Sequence, residues 1–425
     1  MAAAAVVLGF CALFMLGVPV AVAVAVPAMG YLFINGFPLE MVGQRVTYAL
    51  DSFPLVAIPV FIFVGNIMNQ SGITAAIYRF TDTLVGRVPG GVAQVNVVGS
   101  LVFSGMSGAA LADVGGIGRI EVKAMTERGH TPAYSGALTC VSAIVGPIFP
   151  PSIPLIVYGA VTGVSVVQLF LAGIMPALLF VALLMIAVGI IAIRENHPRA
   201  ARWPTLGQVI RDSIPALPAL VTPFLMVLGM TLGYFTPTEA ASVTAVYALV
   251  ISYLFYGGLQ WRQLVYAGFE TIKSTAAILI IIATASMFGW ILAIEQVPQH
   301  FARWMLGIST DPVALLLIVN LMLLVVGMFL DSTTATLLVV PIIAPPLHAA
   351  GVDPVHLGLV VVFNLMIGLV TPPLGLALFL MSDIAKVSMH AILKAMLPLY
   401  VPLIITLLVL TFVPEVSLWI PKMIR

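Results

Sequence analysis

The sequence predicts an all-α polytopic membrane protein built from two inverted repeats, each with about five spans, a re-entrant hairpin and a broken helix. Three observations carry that prediction. Apolar residues make up 61% and charged residues 8% of 425 positions, far outside the range of soluble domains. Two stretches, GPIFPPSIPL at 146–155 and GLVTPPLGLA at 368–377, interrupt apolar segments (143–161 and 360–381) long enough to cross a hydrocarbon core of about 30 Å. The order of elements in 1–212 recurs in 213–425.

The interruptions matter most. Adjacent prolines remove backbone donors, and with glycine beside them the helical ladder cannot close. Carbonyls are then left free at bilayer depth, where lipid cannot satisfy them. Such backbone is tolerated only when buried in protein or lining a polar cavity. Matching breaks in two halves of one chain point to a transport site at the repeat interface.

In the first repeat, 2–16 reads as a span that stays in the mature chain, because no basic region precedes it as in a cleaved signal peptide. Residues 17–19 turn, 20–34 return, 35–51 form a polar connection and 53–68 a third span. Arg79, Asp82 and Arg87 punctuate 72–87, which suits a helix lying in the interface. Gly99, Ser100, Ser104, Gly105, Ser107 and Gly108 crowd the first half of 92–125, so this segment reads as a hairpin with its tip near 104–110. The broken helix 133–161, a span at 166–193 and a basic connection at 194–212 complete the half.

The second repeat follows the same order. Spans at 214–232, 241–256 and 269–294 lead to an interfacial helix at 297–306 and a hairpin at 313–349 with its tip near 327–335. A broken helix at 355–381 and a span at 392–413 finish it. An odd number of spans per half opposes the two orientations. The charges agree: with 194–212 inside, only Arg45, Arg303, Lys422 and Arg425 of the 17 basic residues lie outside, and Arg199, Arg202 and Arg211 are among those inside. The first hairpin then opens from the cytoplasmic side, the second from the outer side, and both termini face outward.

Several function classes are excluded. A net charge of +1 without a basic tract gives nucleic acid nothing to bind. Cys11 and Cys140 lie in apolar runs and read as packed thiols. The six histidines fall in or near connections without metal-ligand spacing, and no glycine is followed by lysine, so a phosphate-cradling loop is absent. No cluster of catalytic residues sits near either interface, which argues against an enzyme. Any pumping must draw on an ion gradient.

Five motifs in order resemble a known family: RVPGG at 87–91, FSGMSGAALAD at 103–113, GPIFPPSIP at 146–154, FTPTEAA at 235–241 and GLVTPP at 368–373. The chain is similar over its whole length to the large membrane subunit of tripartite ATP-independent periplasmic (TRAP) transporters. One departure is Ala109, where relatives often carry a second tip serine. The resemblance implies a sodium-coupled importer of an organic acid in a bacterial inner membrane, working as an elevator whose hairpins and broken helices slide against a fixed scaffold. It implies two separate partners: a small membrane subunit of about four spans and a periplasmic binding protein. C4-dicarboxylates, keto acids, sugar acids and sialic acid all remain open as substrates. The alternative is a stand-alone sodium/dicarboxylate carrier of related architecture. No cofactor is expected beyond Na⁺ as coupling ion.

Sodium prefers oxygen ligands, and freed carbonyls supply them without adding charge to the membrane. One site is expected from Ser104, Ser107, Gly146, Phe149 and Pro150, and its symmetry mate from Gly327, Gly368, Thr371 and Leu374, with substrate between them. Ser107, Gly108, Pro151, Asp331, Ser332, Thr333 and Pro373 are the expected substrate contacts, with helix N-termini favouring a carboxylate. Asp331 has two readings, a cation or polar-substrate ligand and a cap for the helix after it. Asp113 is expected near the cytoplasmic base, in an ion pair with Arg119 or in the site. Glu239 reads as a helix cap, and Gly327 and Gly368 could also serve close packing. Asn66, Asn96, Asn320 and Asn364 read mainly as interhelical hydrogen bonders. Arg79, Arg303 and Trp304 read as interfacial anchors.

Overall fold

The computed structural model describes residues 2–38, 40–197 and 204–424. Arg199, Arg202 and Arg425, counted in the charge distribution, lie outside them. Every regular element among the described residues is helical. Among the described residues seven stretches of helix are long and apolar enough to cross a membrane, consistent with a multi-pass membrane protein.

The first half runs α1 (Ala2–Met15), α2 (Val20–Ile34), α3 (Glu40–Leu50), α4 (Ala57–Gln70) and α5 (Ile73–Val85). Then come α6 (Val92–Ser107), α7 (Ala110–Gly115), α8 (Ile117–Glu127), α9 (Pro132–Ser142), α10 (Ile153–Thr162) and α11 (Val166–Arg194). The second half runs α12 (Leu206–Thr231), α13 (Pro237–Phe255), α14 (Trp261–Ile294), α15 (Val297–Ile308), α16 (Pro312–Gly327) and α17 (Ser332–Ala349). It ends with α18 (Pro354–Leu369), α19 (Leu376–Ala385), α20 (Met389–Met396), α21 (Tyr400–Phe412) and α22 (Glu415–Met423).

Side-chain caps set several starts. The Thr236 hydroxyl accepts from the Glu239 amide while the Glu239 carboxylate accepts from the Thr236 amide, a capping box that starts α13 as expected for Glu239. Asp311, Asp331 and Asp353 cap α16, α17 and α18.

Three segments differ from the sequence reading. Residues 40–50, expected as a connection, form α3, which packs along α14; Arg45 stacks over the Trp290 ring there at 4.9 Å. Its polarity is that of a one-sided helix, which composition alone reads as a link. The basic connection is helical from Leu206 onward, because Thr205 and Gln208 form a capping box ahead of the expected span. A further helix, α22, follows the last span and packs on α11; Ser417 on it meets His356 of α18 at 2.8 Å.

The two halves interlock. The second part of the first broken helix, α10, packs along α17 and α18, while α19 packs along α9 and α7. The fully buried Tyr158 of α10 donates to the Pro354 carbonyl at 2.8 Å, and its ring fills the space left by Gly358, where a Cβ would approach it to 2.7 Å. Around this centre, α4 packs on α13 and α14, and α5 on α12. The interhelical role expected for the asparagines is seen: Asn96 bonds Thr139, Asn320 bonds Thr411, Asn364 bonds Asn320 and Asn66 bonds Thr271.

Candidate functional site

Each hairpin tip meets the break of its own half. In the first half the chain leaves α6 at Gly108 in a left-handed conformation, φ +65°. The Gly108 carbonyl accepts from the Ile153 amide at 3.2 Å, and a Cβ at Gly108 would stand 2.8 Å from the Pro151 carbonyl oxygen. Glycine therefore lets tip and break touch. In the second half the contact is between two glycines, Gly327 and Gly368. Both breaks carry a cis peptide, Pro150–Pro151 and Pro372–Pro373.

The carbonyls at the two breaks differ in their pairing. No hydrogen bond within the described residues reaches the carbonyls of Gly146, Phe149 or Pro150, so these oxygens are free to accept. The Pro147 carbonyl takes the Ser152 hydroxyl at 2.5 Å, and the Ile148 carbonyl points at α11, where Gly173 leaves room for it. The Ser104 hydroxyl donates to the Leu101 carbonyl at 2.6 Å, keeping its lone pairs, whereas the Ser107 hydroxyl has no partner.

In the second half the Gly327, Thr371 and Leu374 carbonyls are likewise unpaired, but the Gly368 carbonyl accepts from the Thr371 amide at 3.0 Å. The Thr371 hydroxyl donates to the Ile367 carbonyl at 2.6 Å. The two breaks also differ in exposure: Pro150 and Pro151 are buried, while Pro372 and Pro373 are exposed. The first break is roofed by α11. The second faces a cavity of about 470 Å³ shared with the turn between α1 and α2, lined by Pro373 and Leu374.

A cavity of about 420 Å³ joins the two halves. Ser107, Ala109 and Pro147 line it from the first half, and Asp331, Ser332 and Thr333 from the second. The expected substrate residues Ser107, Asp331, Ser332 and Thr333 are thus brought together. Gly108 and Pro151 lie at the adjoining tip contact, and Pro373 faces the second cavity. The opposite wall carries Asn66 and Asn69 of α4 and Ser274 of α14. Sequence reasoning missed Asn69 and Ser274; the signal was the spacing of Asn66 and Asn69, which puts both amides on one face of α4.

Asp331 fulfils its capping reading and still lines the cavity. Its Oδ2 accepts from the Thr333 and Thr334 amides at 3.0 and 3.1 Å, and its Oδ1 from the Thr334 hydroxyl at 2.5 Å. Asp113 corrects the expectation of an ion pair with Arg119. It is 1% exposed, neither oxygen accepts a hydrogen bond, and among the described residues no basic side chain pairs with it. The kink at Gly116 between α7 and α8 separates the two residues, and Arg119 is exposed while Asp113 is buried.

Known proteins share this arrangement of sequence. The family model for the tripartite ATP-independent periplasmic transporter, DctM component, matches residues 7–416. The chain is 38% identical to the sialic acid TRAP transporter large permease protein SiaM of Vibrio cholerae, over 98% of each chain. It is 34% identical to the C4-dicarboxylate TRAP transporter large permease protein DctM of Pseudomonas aeruginosa, over 88% of this chain and 87% of that one. The fold is similar to the crystal structure of the Alcanivorax borkumensis YdaH transporter, with a TM-score of 0.62 at 16% identity, over 90% of this chain and 89% of that one. These relatives are permeases and not enzymes. With the family model matched across nearly its whole length, this chain belongs to the DctM family, the large permease subunits of tripartite ATP-independent periplasmic transporters.

Proposed function

We propose that the protein is the membrane permease of a sodium-coupled importer of an organic acid in a bacterial inner membrane, receiving its substrate from a periplasmic binding protein and working beside a small membrane subunit. The observation that carries this reading is the cavity shared by both hairpin tips, each tip seated on a break with unpaired carbonyls. Its volume of about 420 Å³ suits a small molecule. Its polar lining consists of hydroxyls and amides around a single carboxylate, Asp331, which a coupling cation would offset when an acid binds. Sialic acid and C4-dicarboxylates, named for two relatives, fall within this substrate class.

In this reading α6–α10 and α16–α19 form a moving core that carries the site past a scaffold of α4 and α12–α14. Asn66, Asn69 and Ser274 then belong to the wall the core moves against. Under the orientation given by the charges, the cavity stands toward the cytoplasmic end of α4, and Leu55 at the other end lines a separate cavity with Arg45 and Trp290. That is an inward-facing arrangement.

Reconstitution tests the proposal. Proteoliposomes holding this chain and its small subunit, with the binding protein and labelled acid outside, should take up substrate only with an inward sodium gradient. Equal uptake without the binding protein would favour the stand-alone carrier; equal uptake in potassium alone would remove sodium coupling.

A further inference from the structure

We propose that Asp113 supplies the fixed negative charge of a hard monovalent cation site between the first hairpin and the first break, with Ser107 and the Gly146 backbone beside it. The inference rests on the sodium-coupled reading and adds to it a charged ligand, placed in one half only.

Three groups define the site. Asp113 lies on α7, the short helix just past the tip, and its carboxylate is turned inward without a hydrogen bond. The Ser107 hydroxyl, on a residue 3% exposed, lies near that carboxyl and has no hydrogen-bond partner. Gly146 completes the enclosure: a Cβ there would stand 2.5 Å from Asp113 Oδ2, so the absence of a side chain is what lets the break reach the carboxylate. Carboxylate, hydroxyl and the unpaired Gly146 carbonyl are all oxygen donors, the set a hard cation selects.

Among the described residues no ion pair or hydrogen bond compensates the Asp113 carboxylate. Behind Asp113 lies Glu121, fully buried, with one oxygen 3.5 Å from the Ser100 hydroxyl and the other unpartnered. Beyond it Ser100, Ser142, Asn96 and Thr139 bond one another in a neutral chain. A bare carboxylate in such a place is costly: it stays charged where a cation answers it and otherwise takes up a proton.

The second half is built differently. Asp113 lies four residues past the α7 cap, Ala109; four past the α17 cap, Asp331, stands the apolar Ala335. The second half carries its carboxylate at the cap itself, where backbone amides and a hydroxyl already use it. The first site is therefore charged and the second is made of neutral carbonyls, so the two should bind sodium with unequal strength.

The test uses the complete transporter in proteoliposomes, with sodium titrated at saturating substrate in the wild type, Asp113→Asn and Asp113→Ser. The half-saturating sodium concentration should rise tenfold or more in both variants, with uptake recovering at high sodium. Sodium should raise the melting temperature of the wild-type membrane complex in detergent and raise that of either variant much less; potassium and magnesium should do neither. In sodium-free buffer both variants should melt at or above the wild type, because a buried unpaired charge has been removed. Lower melting there, or a failure to fold, would show a structural role and overturn the proposal, as would wild-type half-saturation or an equal response to magnesium. Wild-type uptake indifferent to sodium would instead defeat the coupling reading itself.

Discussion

Gly327 and Gly368 meet backbone to backbone: a Cβ built on Gly368 would stand 2.3 Å from the Gly327 carbonyl carbon, where no side chain can move aside. A Cβ on Gly327 would find its nearest neighbours, the Leu365 carbonyl oxygen and the Gly368 Cα, at 3.1 and 3.2 Å. The pair is unequal. Gly368→Ala must part α16 from α18, an overpacking cost of about 1–3 kcal/mol or more, and should abolish uptake. Gly327→Ala should retain a measurable fraction. Uptake and melting temperature of both variants check the order, and equal effects would contradict it.

The first tip offers a parallel comparison. Gly108 and Gly163 both hold positive φ, +65° and +74°, but only at Gly108 does a Cβ collide, with the Pro151 carbonyl oxygen; around Gly163 the space is open. Alanine in the left-handed region costs about 1–2 kcal/mol by itself. Gly163→Ala should therefore lower the melting temperature modestly and spare transport. Gly108→Ala should lose most uptake, since tip and break are displaced as well.

Asp331 combines two duties that substitutions can separate. Asparagine and serine cap helices about as well as aspartate, whereas alanine loses about 0.5–2 kcal/mol. Asp331→Asn should melt near the wild type and still lower uptake severalfold if the charge serves the site. Asp331→Ala should lose both. Wild-type uptake by the asparagine variant would leave Asp331 as a cap alone.

Much of this architecture was legible because helix breakers in apolar segments have few explanations. The tips near Gly108 and Asp331 and the breaks at Pro150 and Pro372 could be placed from glycine, proline and hydroxyl spacing, and the Thr236–Glu239 cap from its box pattern. What was not legible depends on partners distant in sequence. Nothing local to Asp113 says that Gly146, far along the chain, leaves room for its carboxylate, so Arg119 looked the nearer partner. Asn66 and Asn69 share a face of α4, but that this face and Ser274 of α14 wall the cavity follows only from the packing of the two helices beside the core. The shielding of Pro150 by α11, against the exposure of Pro372, is likewise a property of assembled helices. Both breaks read alike in sequence.

His130 gives the protein a pH dependence outside the spans. It sits in the connection between α8 and α9, 5% exposed, with its ring stacked on Tyr134 and 4.7 Å from that of His197. Burial, and then the neighbouring His197, pushes its pKa down to about 4 from the usual 6.5. The folded state thus holds His130 neutral, and neither ring nitrogen has a hydrogen-bond partner that would favour the charged form. Because the folded value lies below the unfolded one, the linked stability is fully present above about pH 6.5 and is lost as pH falls toward 4. The melting temperature should fall by a few degrees between pH 7.5 and 5. His130→Phe keeps the stacked ring without the titration and should narrow that fall. The same pH dependence in the phenylalanine variant would place its origin elsewhere.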